Sequence, residues 1–182
     1  MHYISAILNR LFTMIHLSFV KIIHGKHFCF HGISIVSSTS HFNIHDNGRI
    51  ILGKNVGIRR NCEISTSENG KIEIGDKSFL NNGCMVVAHK SITIGQGTRL
   101  GPSVMIFDHD YDYKNRETFL LGKHISDEII IGNNCWIGAG VVILKGSKIG
   151  DNCVIGAGTV IKGKYDNGSL IVQKREERVT VL

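Results

Sequence analysis

The stretch "IGNNCWIGAGVVILKGSKIGDNCVIGAGTVIKGK", Ile131 to Lys164, carries an aliphatic residue at every sixth position. Ile131, Ile137, Ile143, Ile149, Ile155 and Ile161 keep that beat without a break. A second signal falls four residues after these leads, where Cys135, Val141, Ser147, Cys153 and Thr159 are all small or β-branched. A period of six matches neither an α-helix nor an ordinary strand. It fits a coil with three flat sides, each a short strand followed by a turn. The aliphatic points inward and stacks on its equivalent one coil away, and the small residue points inward where room is limited. Gly at the second place and Asn or Gly at the fourth suit the turns.

The same beat extends toward the N-terminus. "LGKNVGIRRNCE", "IGDKSFLNNGCM" and "IGQGTRLGPSVM" supply the leads Leu52, Ile58, Ile64, then Ile74, Leu80, Val86, then Ile94, Leu100, Ile106. Their small fifth places are Val56, Cys62, Ser78, Cys84, Thr98 and Val104. The leads form five triplets, which reads as an all-β solenoid of five coils, eighteen residues to a coil. The expected organisation is a helical segment over 1–30, the solenoid over 31–163 and a tail over 164–182. Cys62, Cys84, Cys135 and Cys153 all occupy the small inward place, so they read as packing groups. With Cys29 the thiols number five, and no CxxC pair supports a zinc ribbon. An odd thiol count, and a first stretch unlike a signal peptide, fit a reducing, cytoplasmic setting.

The net charge of +6 is unevenly placed. Residues 1–60 hold seven Lys/Arg against Asp46 alone, while the remaining 122 residues balance 14 against 14. Such a third can be a solvated basic surface or can face acidic lipid. No basic cluster is interleaved with aromatics, so no nucleic-acid partner is expected. Residues 1–23, "MHYISAILNRLFTMIHLSFVKII", are interrupted by Asn9, Arg10 and His16, which suits a membrane span poorly. Ile4, Ile7, Leu8, Leu11, Ile15 and Phe19 recur at helical spacing. The amphipathic helix they predict either covers a core or a neighbouring subunit, or lies peripherally on a membrane.

The beat breaks once. From Ile106 to Ile131 is 25 residues, one hexapeptide plus 19, so residues 107–128 must leave the prism as a loop. Functional side chains concentrate on loops carried by rigid scaffolds. "VMIFDHDYDYKN" opens this one, with His109 three residues after the lead Ile106 and flanked by Asp108 and Asp110. Imidazole ordinarily titrates near neutrality and can take a proton from an alcohol. Asp108 or Asp110 can orient the ring or bind hydroxyls, and Tyr111 can stack on a sugar or pack the loop.

Residues 52–163 resemble the hexapeptide-repeat acyltransferases, whose fold is a left-handed parallel β-helix. The handedness comes from this resemblance, and it runs against the usual right-handed crossover. "ITIGQGTRLGPSVMIFDHDYD" and "IIIGNNCWIGAGVVILKGSKIGDNCVIGAGTVI" are similar to the branch that O-acetylates sugars, including maltose/galactoside acetyltransferases and polysaccharide-modifying relatives. The resemblance implies acetyl-CoA as acyl donor, a homotrimer with sites between neighbours, and His109 as general base. It implies Asn81, in "FLNNGCMVVAHKSITIG", as an acceptor-site residue. Trp136, Ala139 and Ala157 match the positions beside the pantetheine arm. Lys162, Lys164 and Arg175 are candidates for the coenzyme A phosphates. Two departures stand out: His89 replaces an acidic residue common in relatives, and "GSLIVQKREERVTVL" lacks the usual Gly-x-Pro.

The expected function is therefore acetyl transfer from acetyl-CoA to a hydroxyl of a sugar or polysaccharide precursor, directly in a ternary complex. The alternative is N-acylation of an amino-sugar nucleotide. Further readings are a γ-carbonic-anhydrase-like metal enzyme, which needs three converging histidines, and a non-catalytic solenoid. No metal is expected, because His109 and His124 stand 15 apart in what reads as an irregular loop.

Overall fold

A computed structural model describes residues 2–174 and 180, with side chains described from Arg10 onward. It is a left-handed parallel β-helix with three faces. The first face stacks Phe28–Phe30, Arg49–Leu52, Lys71–Ile74, Ser91–Ile94, Ile129–Ile131, Lys148–Ile149 and Lys164–Tyr165. The second stacks Ile35–Val36, Gly57–Ile58, Phe79–Leu80, Arg99–Leu100, Trp136–Ile137, Val154–Ile155 and Leu170–Ile171. The third stacks His41–Ile44, Glu63–Thr66, Met85–Ala88, Met105–Phe107, Val142–Leu144 and Val160–Ile161.

The inward positions are those the beat predicts. Every lead from Leu52 to Ile161, and every fifth-place residue from Val56 to Thr159, is at most 2% exposed. Parallel pairing holds like over like, as in Ile64↔Val86, Val86↔Ile106 and Ile106↔Ile143. Cys62, Cys84, Cys135 and Cys153 are buried free thiols in this core. The fourth place of most hexapeptides turns the corner in the left-handed backbone region, except after the third-face leads Ile64, Val86 and Ile106 and the last lead Ile161. Asn55, Asn61, Asn134 and Asn152 adopt it, as do Lys77 and Ser103, where no Gly or Asn is available.

Coil length and solenoid ends differ from the expectation. Phe28, Ile50, Ile72 and Ile92 are register partners 22, 22 and 20 residues apart, and the eighteen-residue step appears only after the loop, as from Ile131 to Ile149. The extra residues sit at the corner between the third and first faces, in turns such as Ser67–Gly70. The solenoid strands also start at Phe28 and end at Ile171, beyond 31–163 on both sides. Phe30, Val36 and Phe42 stand six apart with buried Ser34 and Ser40 at the small places. The beat is present there, but the aromatic leads Phe30 and Phe42 disguise it.

α1 (His2–His24) lies across the open end of the first coil. Leu17 and Val20 are buried with Phe28, Val36 and Phe42, one residue from each face. Thr13 Oγ1 donates to Val36 O and accepts from Val36 N, both at 3.2 Å, and Lys21 Nζ donates to Phe28 O at 2.7 Å. These bonds satisfy strand-edge groups that would otherwise be open.

The second-place glycines serve close approach between coils. A Cβ on Gly138 would lie 2.5 Å from the backbone nitrogen of Ala157 on the next coil. Backbone cannot yield as a side-chain tip does, so Gly138→Ala should destabilise the fold by about 1–3 kcal/mol, the usual cost of overpacking. Thermal melting should show a fall of several degrees, and an unchanged midpoint would contradict this packing.

Candidate active site

The site begins with one buried carboxylate. Asp108 follows the third-face strand Met105–Phe107 and is 0% exposed. Its Oδ1 accepts from His89 N at 2.8 Å, and its Oδ2 from Lys90 N at 2.8 Å and Ser91 N at 2.7 Å. Oδ1 also lies 3.2 Å from His109 Nδ1. Burial pushes the Asp108 pKa up, but the bonds from His109 and the three backbone N–H groups outweigh it and hold the carboxyl below its usual range. An ionised carboxylate only accepts, so Nδ1 of His109 is the donor, and in the neutral ring this tautomer leaves the lone pair on Nε2.

The excursion is ordered. His109–Tyr111 pairs antiparallel with His124–Ser126, and α2 (Arg116–Leu120) closes the tip. Asn115 caps α2 by accepting from Glu117 N and Thr118 N. The hairpin is tied to the solenoid at its base by Asp127 N donating to Asp108 O at 2.8 Å. It is tied at its side by the ion pair of Lys145 Nζ with Asp110 at 3.2 Å. The expectation of an irregular loop is thereby corrected: the cross-strand pairing sets Tyr111 opposite His124.

Three histidines meet as a result. His89 stacks on His109 with centroids 3.8 Å apart, and His124 stands edge-on to both at 4.5 and 5.1 Å. Burial, then the neighbouring imidazoles, pushes the pKa of His89 and of His124 down. Among the described residues, buried His89 Nδ1 has no hydrogen-bond partner, the Glu68 carboxylate lying 3.7 Å away. Glu68, His89 and His124 bring one ligand atom each within 4.8 Å of one another, so this set could hold a cation, with Glu68 exposed. The hairpin thus converges His109 and His124, which stand 15 residues apart in the sequence.

The remaining sequence candidates divide between two corners. Asn81, Ala139 and Ala157 share the corner joining the second and third faces. There Gly140 N donates to Pro102 O, and Gly158 N to Ala139 O, both at 2.8 Å. Ala139 and Ala157 are exposed, leaving the outer surface of that corner open. Asn81 Oδ1 accepts from Asn82 N at 2.9 Å. Trp136 projects from the second face, 61% exposed. Exposed Lys162 and Lys164 lie at the other corner, the one from which His109 rises. Within one chain the third face thus separates His109 from Asn81 and the alanine corner. Asp110 is engaged by Lys145, and Tyr111 packs on Phe119 and His124 while staying 54% exposed. Arg175 lies outside the described residues. Sequence reasoning missed Lys145 and Glu68. Neither stands in a motif, and both reach the site only through the stacking of separate coils.

Residues 128–163 match the family model described as bacterial transferase hexapeptide (six repeats). The same solenoid continues beyond the matched residues in both directions. Among curated proteins it is similar to nodulation protein L of Rhizobium leguminosarum bv. viciae, 42% identical over 41% of this chain and 39% of that protein. It is also similar to WbbJ of Escherichia coli (strain K12), whose name assigns it to O-acetyl transfer in lipopolysaccharide biosynthesis. That match is 26% identical over 70% of this chain and 69% of WbbJ. The chain spans about two fifths of the length of the first curated relatives it matches. Among solved structures it shares its fold with AntD, an N-acyltransferase from Bacillus cereus in complex with dTDP-4-amino-4,6-dideoxyglucose and coenzyme A. The TM-score is 0.68 at 17% identity, covering 89% of this chain and 86% of AntD.

The pKa directions fix a pH dependence of stability. His89 and His124 bind a proton more weakly folded than unfolded, so the stability they contribute is complete above the ordinary value of 6.5 and is lost as pH falls below it. Asp108 acts lower, its contribution being lost below the ordinary carboxyl value of 3.8. The melting temperature should fall between about pH 7.5 and about pH 5.5, with a shallower slope in His89→Gln. A flat profile in the parent protein would show that the cluster is solvated.

Proposed function

We propose that this chain is an acyl-CoA-dependent acetyltransferase that acts on a hydroxyl of a sugar or glycan precursor. The observation that carries the reading is the buried Asp108–His109 pair. It leaves Nε2 of His109 as a proton acceptor on a rigid hairpin base. The similarity to WbbJ supports acyl transfer, and AntD supports coenzyme A as carrier on this fold.

In this reading Nε2 of His109 takes the acceptor hydroxyl proton as the oxygen attacks the thioester carbonyl. The C–S bond then breaks, and the coenzyme A sulfur leaves with the proton returned from His109. The adjacent Asp108 carboxylate stabilises the imidazolium formed between the two steps. Asp108 is in this respect an orienting residue, and Asp110 helps through Lys145 to hold the hairpin. No covalent acyl-enzyme forms, because Cys62, Cys84, Cys135 and Cys153 face the core. The donor lies along the corner of Ala139 and Ala157, where small side chains let the pantetheine arm approach the backbone. Lys162, Lys164 and Arg175 are the basic groups proposed for its phosphates, with Lys162 and Lys164 supplied from the neighbouring chain because they lie at the other corner, and with Trp136 beside the groove. Because the third face separates that corner from His109 within one chain, a working site joins two chains, and a homotrimer provides it. Asn81 then faces the acceptor from the neighbour's side. The setting is cytoplasmic.

An amine acceptor is the second reading, favoured by the fold likeness to AntD. A panel of alcohol and amino-sugar acceptors separates the two.

His109→Ala should leave assembly and donor binding intact and lower turnover by about 10²–10⁴, the worth of a positioned acid–base group. His124→Ala should cost much less. Near-normal turnover in His109→Ala would end the mechanism, whichever acceptor is used. Ala157→Trp should weaken acetyl-CoA binding with little change in melting temperature, because the side chain is exposed. Light scattering should give three times the chain mass, and a monomer would remove the shared site. Dialysis against a chelator should leave turnover unchanged. Loss restored by a divalent ion would instead favour metal chemistry at Glu68, His89 and His124.

A further inference from the structure

The outer side of α1 is apolar and uncovered. Leu11, Phe12, Ile15, Phe19, Ile22 and Ile23 are 56%, 67%, 59%, 62%, 78% and 60% exposed. At 3.6 residues per turn they fall in one stripe about 120° wide. Thr13, Leu17 and Val20 form the opposite side and are buried against the first coil. The helix therefore has two apolar faces, and the solenoid uses one. Its uncovered face points along the solenoid axis, away from the three sheets. A copy packed beside the sheets leaves this face at the end of the assembly, next to the same face of the neighbour.

The surroundings of the stripe are cationic. Residues 1–45 contain no Asp or Glu. Arg10 and Lys26 are exposed near the ends of the described stripe. Arg59 and Arg60 border, with Phe12, a groove of about 500 Å³ beside the helix. Arg10 and Arg59 line a second groove of about 550 Å³ with Lys77 and Arg99. Among the described residues Arg10, Arg59 and Arg60 have no carboxylate partner. No described helix is long and apolar enough to cross a membrane.

We propose that this end of the molecule docks on an anionic lipid bilayer. The stripe from Leu11 to Ile23 sinks to the headgroup–acyl boundary, and Arg10, Lys26, Arg59 and Arg60 meet lipid phosphates. An in-plane helix of this build binds through buried apolar area plus attraction to acidic headgroups. Side-by-side copies would present several such helices on one plane, which multiplies the effect of each. The proposal is independent of the chemistry assigned to His109.

The test uses the full chain and vesicles in a flotation assay. The protein should float with vesicles containing about 30% phosphatidylglycerol and bind pure phosphatidylcholine far less. Raising the salt from about 0.1 to about 0.5 M should weaken binding, since screening removes the headgroup attraction. Phe12→Ser/Phe19→Ser and Arg10→Gln/Arg60→Gln should each reduce binding about tenfold or more while the melting temperature holds, because all four side chains are exposed. Failure of the parent protein to float with the anionic vesicles overturns the proposal. So does a lower particle mass for Phe12→Ser/Phe19→Ser without lipid, which would make the stripe a contact between copies.

Discussion

Everything in this chain answers to the spacing between stacked coils. Parallel pairing sets neighbouring coils about 4.8 Å apart, so each coil must present the side chains that fit directly over the coil below. That demand explains the aliphatic lead, the small fifth place and the glycine that lets one turn lie on the next. It also explains why four cysteines can be packed as inert small groups. A substitution at one of these positions is felt by two neighbours, because every coil is both floor and ceiling.

The same spacing forbids chemistry inside the prism and allows it only outside a corner. The excursion after Phe107 uses that freedom at little cost to the core. The register resumes undisturbed across it, with Ile106 still pairing to Ile143. What fixes the hairpin in place is Asp108. Its carboxylate is buried at the point where the chain leaves the prism and is shared between the backbone of residues 89–91 and the imidazole of His109. One group thus serves as a structural plug and as the orienting partner of the proposed base. Its full satisfaction is what makes a buried charge tolerable there.

The capping helix and the hairpin have different places in the molecule. α1 seals the first coil with Leu17, Val20 and Thr13 and turns its other apolar side outward. The hairpin stands on the side of the prism, several coils away.

Much of the core was legible in the chain itself. Leads and small places from Leu52 to Ile161 could be named as inward because a six-residue repeat leaves one arrangement in which all stack on their own kind. The long interruption marked a candidate site, and His109 was singled out there by its place in the loop together with the family resemblance. The beat was hidden over Phe30, Val36 and Phe42, where phenylalanine replaces the aliphatic lead at two of the three places. Coil length was misjudged, because turn residues such as Ser67–Gly70 leave the inward pattern untouched. Tertiary structure alone brought His89, His109 and His124 into contact, set Lys145 on Asp110 and gave Asp108 its three backbone donors. The reason is physical. Inward side chains see a neighbourhood that repeats with the sequence. Outward groups on corners and hairpins meet partners from other coils, and which ones meet depends on where the chain has been carried in space.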